Sequence, residues 1–259
     1  MDTTDQIAFM RRIRTALGHA PEIARKLPGL FAQAPTAEER ELLERIGRRS
    51  AAERQALFAQ LVEAGKPLRL NVTQVADEAA AAAAVAGLIE ERSPEWGTRK
   101  SITAWSHPLV DRLRLGSALA GRDIPLHVTA PIDTAADTAC DQAERGRQRA
   151  ALIESFIGVT SADFCLADTA TLVMRNRPGE PRSVALVPSI HVAVIALDQV
   201  LADMKELFAL LRWDERFQAE GLSNYMSFIS GPSKTADIEA TMVHGAHGPR
   251  EVHLFVVSG

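Results

Sequence analysis

Cysteine is nearly missing from this chain: of 259 residues, only Cys140 and Cys165 carry a thiol. Their positions fit neither a metal-ligand spacing nor a disulfide framework, so both read as reduced thiols in a cytoplasmic protein. Cys165 alternates with apolar residues and reads as core. Aromatic residues are scarce too, at 5% with a single Tyr. Trp96, Trp105 and Trp213 are too scattered to build a base-stacking platform. Positive charge is not in excess: the formal net charge is −4, which excludes the basic field of a nucleic-acid-binding protein. Long apolar runs are also missing. No segment supplies the roughly eighteen uncharged apolar residues of a spanning helix. The softest stretch, "AAAAAAVAGLIE" from Ala79, is flanked by Asp77, Glu78, Glu90 and Glu91 and reads as an ordinary helix. The first residues include Asp2 and Asp5 and lack the basic-then-apolar order of a signal peptide. The expectation is an intracellular protein with no membrane or nucleic-acid partner.

What is present is the composition of a globular protein, 46% apolar and 24% charged. Residues 1–66 are rich in Arg, Glu, Ala and Gln and read as a helical arm. "DQIAFMRRIRTAL" brings Ile7, Met10, Ile13 and Leu17 to one face. After a loop with Pro21, Pro28 and Pro35, Thr36 with Glu39 and Ser50 with Glu53 have capping-box spacing. Gly65 and Pro67 close the last helix of the arm. Residues 67–259 form the α/β domain. Strands at 68–75, 101–106 and 124–130 alternate with helices at 77–92, 108–120 and 141–157, which favours parallel pairing through crossover helices. Beyond Gly158 the rhythm shortens. "DFCLAD" and "TLVMRN" read as a hairpin, "SVALVP" and "HVAVI" as two strands, and Asp198–Leu211 as a helix. "YMSFIS", a helix over about 235–243 and the strand "EVHLFVV" complete the chain.

The densest chemistry lies in "ISGPSKTADIEA" (229–240). If a strand ends and a helix begins there, the free N–H groups and partial positive charge of the helix start can hold an anion. Ser230, Ser233 and Thr235 add hydroxyls, Lys234 adds a cation, and Gly231 lets the backbone approach a ligand. The plainer alternative is an N-cap at Ser233 or Thr235 with Asp237 in the first turn. The segment lacks the spacing of a nucleotide-binding P-loop. His244 and His247 in "HGAHGP", His191 beyond Pro188, and Asp168 in "LADTAT" form a second group. If their loops share a sheet edge, Asp168, His191 and His247 converge as candidate catalytic residues for proton exchange. The glycines flanking His247 place it in a loop, so no resident metal is expected. Ser161 has no base near it in sequence, and the basic run at 144–150 reads as a solvated helix face.

Taken together, "GVTSADFCLADTATLVM", "ALVPSIHVAVI" and "FISGPSKTADIEATMVHGAHGPREVHLFVV" resemble the LUD-domain family, in its lactate-utilization protein C (LutC-like) branch, over about residues 70–259. The resemblance implies a three-layer α/β/α sandwich of the NagB/RpiA/CoA-transferase-like type and a part in L-lactate oxidation beside iron–sulfur partner proteins. Two cysteines are too few for a Cys₄ cluster site, so the clusters are expected on those partners and no cofactor in this chain. The family's motif residues fall on Asp168, Thr169 and Thr171, on Pro188 and His191, and on Ser230, Gly231, Pro232, Ser233, Thr235, Ala236, Asp237 and Glu239. The last of them are Gly245, His247, Gly248 and Pro249. This implies a small-anion pocket, for a carboxylate or phosphate, formed by the 168–171, 188–191, 230–237 and 245–249 loops; the same loops could equally serve an interface. Ala170 stands where the family commonly has Gly, and strain of about 1 kcal/mol is expected if the residue takes positive φ. Ala246 also replaces a larger apolar residue. The alternatives to a non-redox subunit are an independent enzyme of CoA-transferase-like fold acting on a nucleotide, CoA or sugar phosphate, and a metabolite-sensing or scaffold protein.

Overall fold

The starts of two helices in the first part of the chain are set by reciprocal side-chain caps. The computed structural model of the protein describes residues 3–18, 34–94, 98–132, 139–220, 225–236 and 242–258. Residues 1–40 and 41–259 form two compact units. In the first, α1 (Thr3–Ala16) and the turn after it leave Met10, Ile13 and Leu17 exposed. Ahead of α2 (Ala37–Gly47), the Thr36 N–H donates to Glu39 Oε2 at 2.8 Å and the Glu39 N–H donates to Thr36 Oγ1 at 3.2 Å. The same reciprocal box at Ser50 and Glu53 opens α3 (Ala51–Gly65). Such a cap stabilises a helix by about 1 kcal/mol.

In the second unit the strands follow in order as β1 (Leu70–Val75), β2 (Ile102–Ala104), β3 (Leu126–Val128), β4 (Ile157–Thr160), β5 (Phe164–Leu166) and β6 (Thr171–Arg175). They continue with β7 (Ile190–Ala196), β8 (Val200–Leu201), β9 (Met226–Ile229), β10 (Lys234–Ala236), β11 (Met242–His244) and β12 (Glu251–Val257). Six of them form a parallel sheet in the order β1-β12-β7-β4-β2-β3. β7 and β12 lie inside it and read "IHVAVIA" and "EVHLFVV", the near-continuous apolar runs of strands covered on both faces. A smaller sheet, β8-β5-β6-β9, carries the 164–175 hairpin, and β10 pairs antiparallel with β11.

Helices α4 (Glu78–Glu91), α5 (Pro108–Arg112) and α6 (Leu115–Ala118) cover one face of the large sheet, burying Val85, Ile89, Leu109 and Leu115 against Ile102, Val159, Val192 and Phe255. The other face packs on α3, on α7 (Ala139–Glu154), on α8 (Ser183–Leu186) and on the smaller sheet, through Leu61, Leu152, Val184, Cys165 and Leu172. The outer side of the smaller sheet is closed by α9 (Met204–Trp213) and α10 (Glu215–Glu220), with Leu43 and Ile46 of α2. The result is an α/β fold in three layers, with the smaller sheet inside one outer layer. Among the described residues no helix is long and apolar enough to cross a membrane.

Several elements differ from expectation. "SVALVP" is the helical turn α8 and not a strand, because Val184 and Ala185 pack on the large sheet as one face of a turn; four apolar residues fit either periodicity. The helix expected at 108–120 breaks at Arg114, whose φ is 48°. The helix expected at 141–157 ends at Glu154, and β4 begins at Ile157. The helix expected at 198–211 starts only at Met204, after a 3₁₀ turn and β8. Both ends of the helix expected at 235–243 are strand: Lys234 pairs with His244, Thr235 with Val243 and Ala236 with Met242. β-branched Thr235 and Val243 suit that ladder. Residues 237–241, which include Asp237 and Glu239, lie outside the described residues.

Candidate functional site

The motif loops gather at the amino-terminal rim of the parallel sheet. The turn between β5 and β6 holds Asp168, Thr169 and Thr171; Thr169 Oγ1 donates to Asp168 Oδ1 at 3.1 Å, and Thr171 Oγ1 lies 2.7 Å from Ser230 Oγ at the end of β9. Ala170 in this turn has φ 45°, in the left-handed region that favours glycine, the residue the family resemblance implied at this position. Its methyl group is fully buried, which offsets part of the strain. Gly231, at φ +92°, passes so close to the Leu68 carbonyl before β1 that a Cβ would sit 2.8 Å from that oxygen. Ser233 ties the last loop down. Its N–H donates to Pro249 O at 2.9 Å, its carbonyl accepts the Gly245 N–H at 3.0 Å, and its Oγ accepts the His247 N–H at 3.3 Å. Gly248 rests against the Ser233 Cβ. Asp168, Thr169, Ser230, Lys234 and His247 are exposed, and Thr235 is half-buried. Because 234–236 is strand, no helix among the described residues begins in this loop, and what it offers an anion is its hydroxyls and Lys234.

His191 does not join Asp168 and His247. It has already entered β7, where it is fully buried, and its Nε2 lies 2.8 Å from Thr160 Oγ1 while Nδ1 has no partner among the described residues. Burial, with a smaller push from the nearby His253, lowers its pKa to about 3, so it is neutral at physiological pH. Gly158, its neighbour across β4, makes room there, since a Cβ would lie 1.9 Å from the Val184 carbonyl of α8. Asp168 accepts from Thr169 Oγ1 and its N–H donates to Ala202 O at 3.2 Å, while the His247 N–H donates to Ser233 Oγ. Cys165 is sealed in the core and burial pushes its thiol up, out of reach of nucleophilic chemistry at neutral pH. Ser161, also buried, donates to Val194 O at 2.9 Å. Among the described residues no three His, Cys, Asp or Glu side chains stand where they could hold a metal ion.

The opposite rim carries charges. Where β2, β4 and β7 end, a cleft of about 470 Å³ is lined by His107, Asp163, Arg175, Arg177, Glu180, Gln199, Phe217 and Glu220, among others. Within the large sheet the chain goes from β2 to β3 on one side and from β4, by way of the β5–β6 hairpin and α8, to β7 on the other, so the connections diverge between β2 and β4, where open α/β sheets place their ligand crevices. Asp163 organises the cluster. Its carboxylate accepts the Arg175 N–H at 2.7 Å, Arg175 Nε at 3.0 Å and Arg177 Nη2 at 2.7 Å. One oxygen of Glu220 accepts from both guanidiniums, Arg175 Nη2 at 2.8 Å and Arg177 Nη2 at 3.2 Å. Arg175 also stacks 4.5 Å above the Phe217 ring. Burial disfavours the Arg177 charge, but Asp163, Glu180 and Glu220 outweigh it and hold the guanidinium protonated. Burial pushes the Glu180 carboxyl up against the pull of Arg177, and it pushes His107 down against the pull of Asp163. Both are therefore drawn toward neutrality. His107 Nδ1 accepts the Leu109 N–H at 3.2 Å, which leaves the ring proton on Nε2. The sequence reading passed over these residues; the one signal for them was "RNRPGEPR" (175–182), with three arginines and a glutamate at the end of a buried strand.

Comparison with known proteins places the chain among relatives. The LUD domain family model matches residues 58–257, which include every motif loop and the charged cleft. The chain is similar to lactate utilization protein C of Exiguobacterium sp., 32% identical over 58% of this chain and 64% of that protein. It is also similar to lactate utilization protein C of Halalkalibacterium halodurans, 31% identical over 63% of this chain and 64% of the other. These matches span under two thirds of the length of the curated relatives. A crystal structure of a DUF162 family protein from Deinococcus radiodurans superimposes with a TM-score of 0.44 at 18% identity, covering 81% of this chain and 99% of that one.

Proposed function

The chain belongs to the LUD domain family, and from that membership we propose that it is a non-redox component of a system that oxidises L-lactate. The observation that carries this reading is the family match across all four motif loops, together with similarity to proteins named for lactate utilization. Cysteine content supports it. With Cys165 sealed in the core and Cys140 the only other thiol, this chain offers no Cys₄ set for a cluster. The two electrons released as lactate becomes pyruvate then pass to iron–sulfur clusters on partner proteins. In this reading the 168–171, 230–236 and 245–249 loops are the face that meets such a partner, since Asp168, Thr169, Ser230, Lys234 and His247 are exposed there.

The test is mild affinity purification of the tagged full chain from cells grown on lactate, read by mass spectrometry and visible absorbance. Cysteine-rich proteins and a broad iron–sulfur absorbance should accompany the wild type. The Lys234→Ala/His247→Ala double variant should lose most of them without a change in melting temperature. A wild-type chain that elutes alone and colourless, under conditions that preserve such complexes, overturns the reading.

A further inference from the structure

The cleft at the carboxyl ends of β2, β4 and β7 holds an arrangement that the motif loops do not share: two guanidiniums converge on one carboxylate oxygen. Arg175 supplies one of them, with its side chain only 5% exposed and its Nε committed to Asp163. Arg177 supplies the other. The oxygen they share belongs to Glu220, whose side chain is 49% exposed and which is the last residue of α10, a helix with no buried residue. A rim glutamate on a short surface helix thus occupies the focus of a pair of arginines, one of them buried and fixed. Paired guanidinium donors match the geometry of a carboxylate, and a buried arginine presents its donors without the ordering cost of a surface side chain.

We propose that this cleft is the binding site of a small monocarboxylate, whose carboxylate takes the place of Glu220 between Arg175 and Arg177. The ring of Phe217 and the side chain of Phe164 give the cleft an apolar wall for the ligand's carbon body, and His107 lines the same space as a neutral N–H donor for a further oxygen. When Glu220 swings away, Arg175, Arg177, Asp163 and Glu180 remain. Asp163 and Glu180 still face the two guanidiniums, and the Arg175 and Arg177 Nη2 donors that Glu220 had held are left open to the incoming carboxylate. Glu220 acts as a tethered competitor: it keeps the arginines satisfied when no ligand is bound and sets a threshold concentration for binding. The carboxylate assignment rests on the two arginines and the cleft; only the choice of L-lactate and pyruvate as probes rests on the function proposed above, so propionate is included as a probe independent of it.

The experiment is calorimetric titration of the full chain with L-lactate, pyruvate and propionate, with inorganic phosphate as control, on wild type, Glu220→Gln and Arg177→Ala. Removing the competing charge in Glu220→Gln should tighten binding of the carboxylate that binds best by about five- to tenfold. Arg177→Ala should weaken it at least tenfold, with circular dichroism reporting whether that variant is folded. The gain in Glu220→Gln keeps the test decisive even if Arg177→Ala fails to fold. The proposal is overturned if no carboxylate binds the wild type or Glu220→Gln. It is overturned equally if a carboxylate binds and Glu220→Gln leaves its affinity unchanged, or if phosphate binds and the carboxylates do not. Tightened binding of any of the three acids by Glu220→Gln supports the site whatever the outcome of the purification from lactate-grown cells.

Discussion

At the amino-terminal rim of the parallel sheet, the polar groups are hydroxyls and backbone amides from contiguous stretches of chain, with exposed Asp168, Lys234 and His247 among them. At the carboxyl rim they are charged side chains contributed by positions 107, 163, 175, 177, 180 and 220, and Asp163, Arg175 and Glu180 are almost fully enclosed. The first rim shows as a motif because each loop is a short contiguous run of turn residues, and the bonds that join the loops come from those same runs. The second has almost no local signature, because each member sits in an ordinary segment and acquires meaning only beside the others. The two also differ energetically. A hydroxyl on a half-wet loop contributes about 1 kcal/mol, whereas a buried ion pair stripped of one partner strands a charge at a cost of about 3–5 kcal/mol.

That contrast can be broken first at Asp163. Asp163→Ala leaves Arg175 buried without its main carboxylate and should cost about 3–5 kcal/mol in urea denaturation, while Ser233→Ala on the other rim should cost about 1 kcal/mol. Equal losses would mean that the charged cluster is solvated and that the two rims do not differ in kind.

Acid titration sharpens the comparison from between the rims, at His191. Its folded pKa of about 3 lies below the ordinary 6.5, so the unfolded chain takes up a proton that the folded chain refuses. The stability from this neutral histidine is complete above about pH 6.5 and should fall by up to about 1.4 kcal/mol per pH unit as pH drops toward 3. His253, which burial also lowers, adds to the loss with the same sign. Stability curves of wild type and His191→Gln between pH 4 and 7 check this: the variant should show the shallower slope, and parallel curves would mean that His191 is reached by water.

The smallest effect is expected at Ala170. Glycine would relieve left-handed strain of about 1 kcal/mol but lose a buried methyl worth about 0.8 kcal/mol and gain unfolded-state freedom worth about 0.5–1 kcal/mol. Ala170→Gly should therefore shift stability by under about 1 kcal/mol in thermal melts. Stabilisation of 2 kcal/mol or more would show that the departure from Gly strains the whole turn and reaches Thr171 and Ser230.

Much of the fold was legible in residues 70–175 and at the chain end. Strands at 70–75, 102–104, 126–128 and 251–257 fall inside the apolar runs that announced them, and both capping boxes formed as their spacing required. The hairpin at 164–175 was readable because the turn "ADTA" separates two short apolar runs. Of the candidate site residues, the Thr171–Ser230 contact and the Ser233–His247 tie draw on motifs already visible, whereas the burial of His191 was not. Its position one residue inside a strand depends on Thr160 and Gly158, 31 and 33 residues away.

By itself the sequence determined the alternation of helix and strand through the first part of the α/β domain, where α2 and α3 are capped and which loops carry the family's motif. These follow from neighbours within about one helical turn or one strand pleat, which any few residues contain. Only the tertiary structure decided that "SVALVP" coils while "KTA" extends, that one histidine of the motif is sealed and another exposed, and that Arg175, Arg177 and Glu220 meet at one oxygen. Ladder partners, burial and charge pairing are properties of residues brought together by the packing of separate layers, and no local window of the chain holds that information.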